Sequence, residues 1–225
     1  GSLQLIGEGG VSTASSIAGT AAGNLWDSFD ETTSGVGITI GDLLKTGGPG
    51  DDVFLYTSPA LMDGLTAVLS YEPQNAGTES GMGYGINYTG FDGLTINYAN
   101  TDMVSTTAAL SGDNEVMKVS YVMGSFTGTI SNLEHSTGTV ASNSEASSYA
   151  VSYSVTDELS ITYGSETFEP GTAGSQDADI SGISFAYTSG GMTLSGSMKD
   201  GENLAYGTNT VEDREQWTLG ASFAF

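Results

Sequence analysis

The sequence predicts an all-β protein, a transmembrane antiparallel up-and-down β-barrel of about twelve strands. Three observations predict it. Apolar residues recur at every second position through most of the chain, the period of a strand with one apolar and one polar face. The residues between them are Ser, Thr, Gly, Asn and Ala with hardly a charge, whereas the water-facing side of a soluble sheet normally carries Lys and Glu. Tyr stands at strand ends, as in Tyr71, Tyr88, Tyr98, Tyr121, Tyr163 and Tyr187, where an interfacial aromatic girdle falls. A soluble sandwich or solenoid shares the first feature and lacks the other two.

The elements follow in order. Residues 2–8 and 52–58 form the first two strands. Leu65, Ala67, Leu69 and Tyr71 mark the third; Met82, Tyr84, Ile86 and Tyr88 the fourth; Leu94, Ile96 and Tyr98 the fifth. Met117, Val119, Tyr121 and Met123 come next, then Phe126 and Ile130, then Tyr149, Val151, Tyr153 and Val155. Leu159, Ile161 and Tyr163, then Ile183, Phe185 and Tyr187, then Met192, Leu194 and Met198 repeat the pattern. Trp217, Leu219, Ala221, Phe223 and Phe225 close it. The connections 58–63, 89–93, 123–125, 156–158 and 188–191 are short, and those at 72–80, 100–114, 133–146, 165–179 and 200–213 are long and polar. One rim therefore carries tight turns and the other large loops, and an even strand number puts both ends of the chain at the short-turn rim. Asp63-Gly64-Leu65-Thr66 recurs as Asp92-Gly93-Leu94-Thr95, and more weakly at Glu158 and Gly191. The spacing, about 30 residues, is two strands with a turn and a loop. No linker interrupts the pattern, so residues 1–225 form one barrel domain.

Composition narrows the function. The 225 residues hold 27 Asp+Glu against 4 Lys+Arg, a formal charge of −23. So few cations cannot neutralise a run of phosphates, so nucleic acid is excluded as a partner. One His and no Cys exclude thiolate chemistry and a Cys/His zinc site. No apolar run reaches the ~18 residues of a transmembrane helix.

Residues 51–71 read Asp-Asp-Val-Phe-Leu-Tyr-Thr-Ser-Pro-Ala-Leu-Met-Asp-Gly-Leu-Thr-Ala-Val-Leu-Ser-Tyr. This resembles the block that follows the pore-constricting loop in the proteobacterial general porins. There a strand ending in Tyr-x-Ser-Pro turns through x-Gly-Phe/Leu into the next. The final stretch, with Trp217, Leu219, Ala221, Phe223 and Phe225 alternating, resembles the terminal strand of outer-membrane barrels. Residues 1–8 resemble the strand before the constricting loop. The resemblance covers the whole chain but starts at the family's fifth strand, so the twelve strands here are expected to be part of sixteen. With no leader in front of the first strand, the chain is expected to be a mature protein or a piece of one. The resemblance implies a porin of the gram-negative outer membrane, a homotrimer that contacts lipid and lipopolysaccharide and passes small hydrophilic solutes and ions. It also implies that the assembly machinery reads Trp217, Leu219, Phe223 and Phe225, and that no catalysis occurs. One departure is Glu8, which stands where the family often has Arg. The basic residues are limited to Lys45, Lys118, Lys199 and Arg214.

Residues 9–51 lack a clear strand pattern, anomalous inside a compact domain unless functional. The resemblance makes this segment the pore-constricting loop. Asn24 is a candidate N-cap for a short helix. Trp26 and Phe29 would pack on the wall, leaving Asp27, Asp30 and Glu31 to face the channel. An exterior acidic loop is the alternative. Residues 41–45, with Asp42, form a second helical turn that either lines the pore or only supports it. Asp51, Asp52 and Glu8 complete the constriction set. Lys118 and Lys199 lie on the polar face, where each lines the lumen or snorkels to water. Asp177 and Asp179 are weak Ca²⁺ candidates against a plainly solvated acidic rim; no other cofactor is expected. His135, with Ser131, Ser136 and Glu134, would be needed by an outer-membrane hydrolase, but it reads as a solvated loop residue.

A diffusion channel is the leading function. Strands about 4.8 Å apart and tilted about 40–45° give a radius of roughly 12 Å for twelve strands and 16 Å for sixteen, more than Ser, Thr and Gly can fill. The alternative is a barrel serving as a loop-based binding or adhesion protein or receptor, which calls for bulky lumen-filling residues. Acids at the mouth and constriction predict cation preference.

Overall fold

A computed structural model describes residues 1–7, 13, 17, 19–29, 52–73, 80–103, 111–205 and 212–224. The strands are β1 (Ser2–Ile6), β2 (Val53–Thr57), β3 (Leu65–Glu72), β4 (Gly81–Tyr88), β5 (Leu94–Met103) and β6 (Gly112–Met123). They continue with β7 (Phe126–Ser136), β8 (Ser144–Ser154), β9 (Leu159–Pro170), β10 (Ala178–Ser189), β11 (Met192–Glu202) and β12 (Arg214–Phe223). They form one sheet in the order β1 to β12, every strand hydrogen-bonded to its neighbours in sequence. Among the described residues β1 and β12 each have a partner on one side only.

The alternation read from the sequence separates the two faces. Registered cross-strand pairs share a face. Tyr98, Met117, Ile130, Tyr149, Val151, Tyr163, Ile183, Met198 and Trp217 lie on one side, and most are exposed there, Trp217 at 77%. Rings neighbour one another along this face: Phe126 stacks on Tyr153 at 4.5 Å, and Tyr149 lies 6.2 Å from Tyr163.

The short turns are stitched together. The Gly64 carbonyl accepts the Thr89 N–H and the Gly93 carbonyl accepts the Val122 N–H, both at 2.8 Å. Both glycines have positive φ, 70° and 75°. A Cβ at Gly64 would lie 2.1 Å from the Gly90 nitrogen, and one at Gly93 2.4 Å from the Val122 oxygen. The repeated Asp-Gly thus marks a turn whose conformation and close approach both require glycine.

The long-loop rim differs from the sequence reading. Four of the stretches expected as loops (100–114, 133–146, 165–179 and 200–213) are partly strand, because β5 to β11 run into them. The strands are taller than the alternation revealed. Twelve residues in β6 extend about 40 Å along the strand at ~3.4 Å each, roughly 30 Å in height at a tilt of about 40–45°, against an apolar band of about 25 Å. Above the apolar residues stands a row of directly opposed carboxylates, Glu115, Glu134, Glu145 and Glu169, on β6 to β9. Like charges in register are tolerated only in water, so this row marks where the apolar band ends.

His135 is corrected too. It lies on β7 rather than in a loop, is 2% exposed, and pairs through Nδ1 with Asn114 Oδ1 at 2.7 Å. Sequence reading failed because near the rim polar residues occupy both faces and the alternation fades.

Candidate functional site

The polar face was expected to be small and polar throughout. Its lower rows are so. The Thr129 hydroxyl donates to Ser120 Oγ at 3.0 Å, Ser152 meets Thr162 at 2.8 Å and Ser197 meets Thr218 at 2.8 Å. One row nearer the long-loop rim is apolar instead. Ala99, Val116, Leu133, Ala146, Phe168 and Ala178 stand opposite one another across β5 to β10. All are buried, with Phe168 fully so. The covering comes from the chain between β1 and β2. Phe29, 2% exposed, joins this cluster, and Ile17, Leu25 and Trp26 pack against it. Leu204, in the turn after β11, folds over the same patch. The exception is therefore physical: those rows form a small core with the segment above them. Each large side chain fully buried there contributes about 1.5–3 kcal/mol.

The segment crosses the sheet as a strap. Near β3 to β5, the Thr13 N–H donates to Ser70 Oγ at 3.4 Å and its hydroxyl to the Asn100 carbonyl at 2.9 Å. Further along, the Ala21 N–H is shared by Ser131 Oγ on β7 and Ser148 Oγ on β8, at 2.8 and 2.7 Å. Lys118 on β6 donates to the Gly19 and Thr20 carbonyls, both at 3.3 Å. At the far side Lys199 on β11 donates to Ser28 Oγ, and Gln216 on β12 to the Ser28 carbonyl at 3.5 Å.

Glu166 on β9 accepts three hydrogen bonds from the strap. It is 1% exposed. One carboxylate oxygen accepts the Thr20 hydroxyl and the Leu25 N–H at 2.9 Å; the other accepts the Trp26 N–H at 3.0 Å. Leu25 and Trp26 open the 3₁₀ helix Leu25–Ser28, whose first N–H groups lack partners within the helix. The expected Asn24 side-chain cap is absent. Asn24 has left-handed backbone, φ 59°, and its Oδ1 accepts the Thr20 N–H at 2.9 Å instead. The Glu166 carboxylate does the capping from another strand.

The strap fits because the wall beneath it lacks side chains. A Cβ at Gly83 would come 2.2 Å from Thr13 Oγ1, and one at Gly164 2.7 Å from the Ala22 Cβ.

Of the expected constriction acids, Asp27 is exposed on the strap and Asp52 is exposed just before β2. Glu8, Asp30, Glu31, Asp42 and Asp51, the 41–45 turn, and Phe225 lie outside the described residues. Trp217, Leu219 and Phe223 lie exposed on the apolar face of β12. Asp179 accepts the Thr167 hydroxyl at 2.6 Å, and Asp177 is exposed before β10. Among the described residues no three His, Asp or Glu converge to hold a metal. The hydrolase constellation does not assemble. His135 and Ser131 belong to the polar face, Glu134 and Ser136 to the other, and Ser131 is engaged with Ser148 and the strap. Sequence reasoning missed Glu166, Ser131 and Ser148 as strap tethers. The available signal was their shared parity with Lys118.

Solved structures with the same sheet exist. The anion-selective porin from Comamonas acidovorans superposes with a TM-score of 0.58 at 16% identity, over 78% of this chain and 60% of that one. The outer-membrane channel DcaP of Acinetobacter baumannii gives 0.59 at 13% identity, over 77% and 62%. The chain shares the fold of outer-membrane channels. OmpF of Salmonella typhi, solved with daunomycin, gives 0.56 at 15% identity over 91% of this chain and 73% of that one. The chain thus spans about three fifths of the length of the first two. No protein-family profile and no curated protein sequence matches it.

Proposed function

We propose that the chain is the greater part of an outer-membrane porin of a gram-negative bacterium, a passive diffusion channel for small hydrophilic solutes and ions. One observation carries the reading. Residues 13, 17 and 19–29 lie across the polar face of a sheet whose other face is an exposed apolar band with aromatic residues. Lipid suits the band, and a strap on the opposite side narrows an aqueous passage. The single-sided pairing of β1 and β12 fits a wall closed by further strands, sixteen in all, as does the fraction of each neighbour that the chain spans. A homotrimer in contact with lipopolysaccharide and assembly through the terminal strand with Phe225 belong to the same reading.

The channel prefers cations. The formal charge is −23, Asp27 is exposed on the strap, and the two wall lysines point their ammonium groups at strap oxygens. The Comamonas neighbour is described as anion-selective, so selectivity rests on these residues and not on the fold. Swelling of liposomes holding the whole encoded polypeptide tests the reading. Small neutral sugars should enter and large dextrans should not. Liposomes that stay impermeable to the smallest sugars contradict it.

A further inference from the structure

We infer that Lys118, Glu166 and Lys199 set the size limit of the passage by holding the strap, and do not set its charge preference; this rests on the channel reading. Three charged side chains occupy the middle rows of the polar face, a place where an ion in transit would meet them. Each is directed instead at an uncharged group of the strap. The two cations meet oxygens: Gly19 and Thr20 carbonyls for Lys118, the Ser28 hydroxyl for Lys199. The anion meets hydrogens: the Leu25 and Trp26 N–H groups and the Thr20 hydroxyl for Glu166. The signs match the local dipoles of the strap, positive at the opening of the 3₁₀ helix and negative at the carbonyls of the preceding turn. Charge-assisted bonds of this type are about twice as strong as neutral ones. Glu166, 1% exposed, is shielded from the aqueous passage. In the described run 19–29 the strap carries one charged side chain, Asp27, which is exposed. Tethering and charge selection are therefore assigned to different residues.

A main chain with its side chains is about 10 Å thick. That is near half the width of a sixteen-stranded lumen once wall side chains are subtracted from a radius of ~16 Å. Release of the strap should raise conductance on the order of twofold. The experiment uses the whole encoded polypeptide in planar bilayers, with Lys118→Met, Glu166→Gln, Lys199→Met and Thr20→Val. Thr20→Val leaves all three wall charges in place and removes one tether, so it remains informative if a wall variant fails to fold. Conductance, exclusion of graded uncharged polyethylene glycols and reversal potential in a KCl gradient are read together. The expected result is higher conductance and entry of larger polymers. The reversal potential should move less than it does on Asp27→Asn, and Lys118→Arg should restore the wild-type size limit. Unchanged polymer exclusion in Thr20→Val and both lysine variants overturns the inference. So does a lysine variant that shifts reversal potential more than Asp27→Asn at constant conductance. A wild type that conducts nothing would contradict the channel reading itself.

Discussion

Gly164 on β9 lies directly under Ala22 of the strap, so close that a Cβ on the glycine would stand 2.7 Å from the alanine Cβ. Wall and strap are shaped to one another at this point. Gly164→Val should lift the strap or strain the strand. Overpacking of this kind costs about 1–3 kcal/mol. We expect a lower thermal midpoint and a larger conductance. A variant with wild-type values for both would show that the strap does not rest there.

Phe168 is fully buried between the wall and the strap. Phe168→Ala should cost about 3–5 kcal/mol through lost burial and an unfilled cavity. Thermal unfolding of the folded, heat-modifiable form measures this. Ile130→Ala, on the exposed apolar face, should cost clearly less. Equal losses would argue against a core beneath the strap.

Thr129 and Ile130 are adjacent in sequence and point to opposite faces of β7. Ile130→Arg should destabilise the protein in lipid by about 2–4 kcal/mol, the cost of a cation near the bilayer midplane. Thr129→Arg should be far milder, because that face meets water. Denaturant titration in vesicles separates them, and a reversed order would exchange the two faces.

Much of this architecture was written in the alternation. Leu65 to Tyr71, Tyr149 to Tyr153 and Trp217 to Phe223 all lie in strands, with Val155 falling just past the end of β8, and the Asp-Gly repeat at Gly64 and Gly93 located two of the turns. The upper strand ends were hidden because Glu115, Glu134 and Glu145 stand above the apolar band while their neighbours Val116, Leu133 and Ala146 turn the other way into the core under the strap, so the apolar parity changes face and the period breaks. The tethers were hidden for another reason. Glu166 lies 141 residues from Leu25, and no local pattern announces a partner so far away. Asn24 misled because an N-cap residue type took a left-handed conformation and left the capping to Glu166.

Asp27 is exposed on the strap, within reach of passing ions at a screening length of about 8–10 Å in physiological salt. Asp27→Asn should reduce the cation preference, and Asp27→Asn with Asp30→Asn and Glu31→Gln should reduce it further. Reversal potentials in a KCl gradient read the change. A preference that survives the triple substitution moves the selectivity to the acidic rim.

The central claim is that these strands wall an open, strap-narrowed and cation-preferring pore. Single-channel recording of the whole encoded polypeptide under a KCl gradient tests it most directly. The account predicts discrete conductance steps with a reversal potential of the sign that favours K⁺. A folded protein that inserts into the bilayer without steps, or steps that reverse on the chloride side, would contradict it.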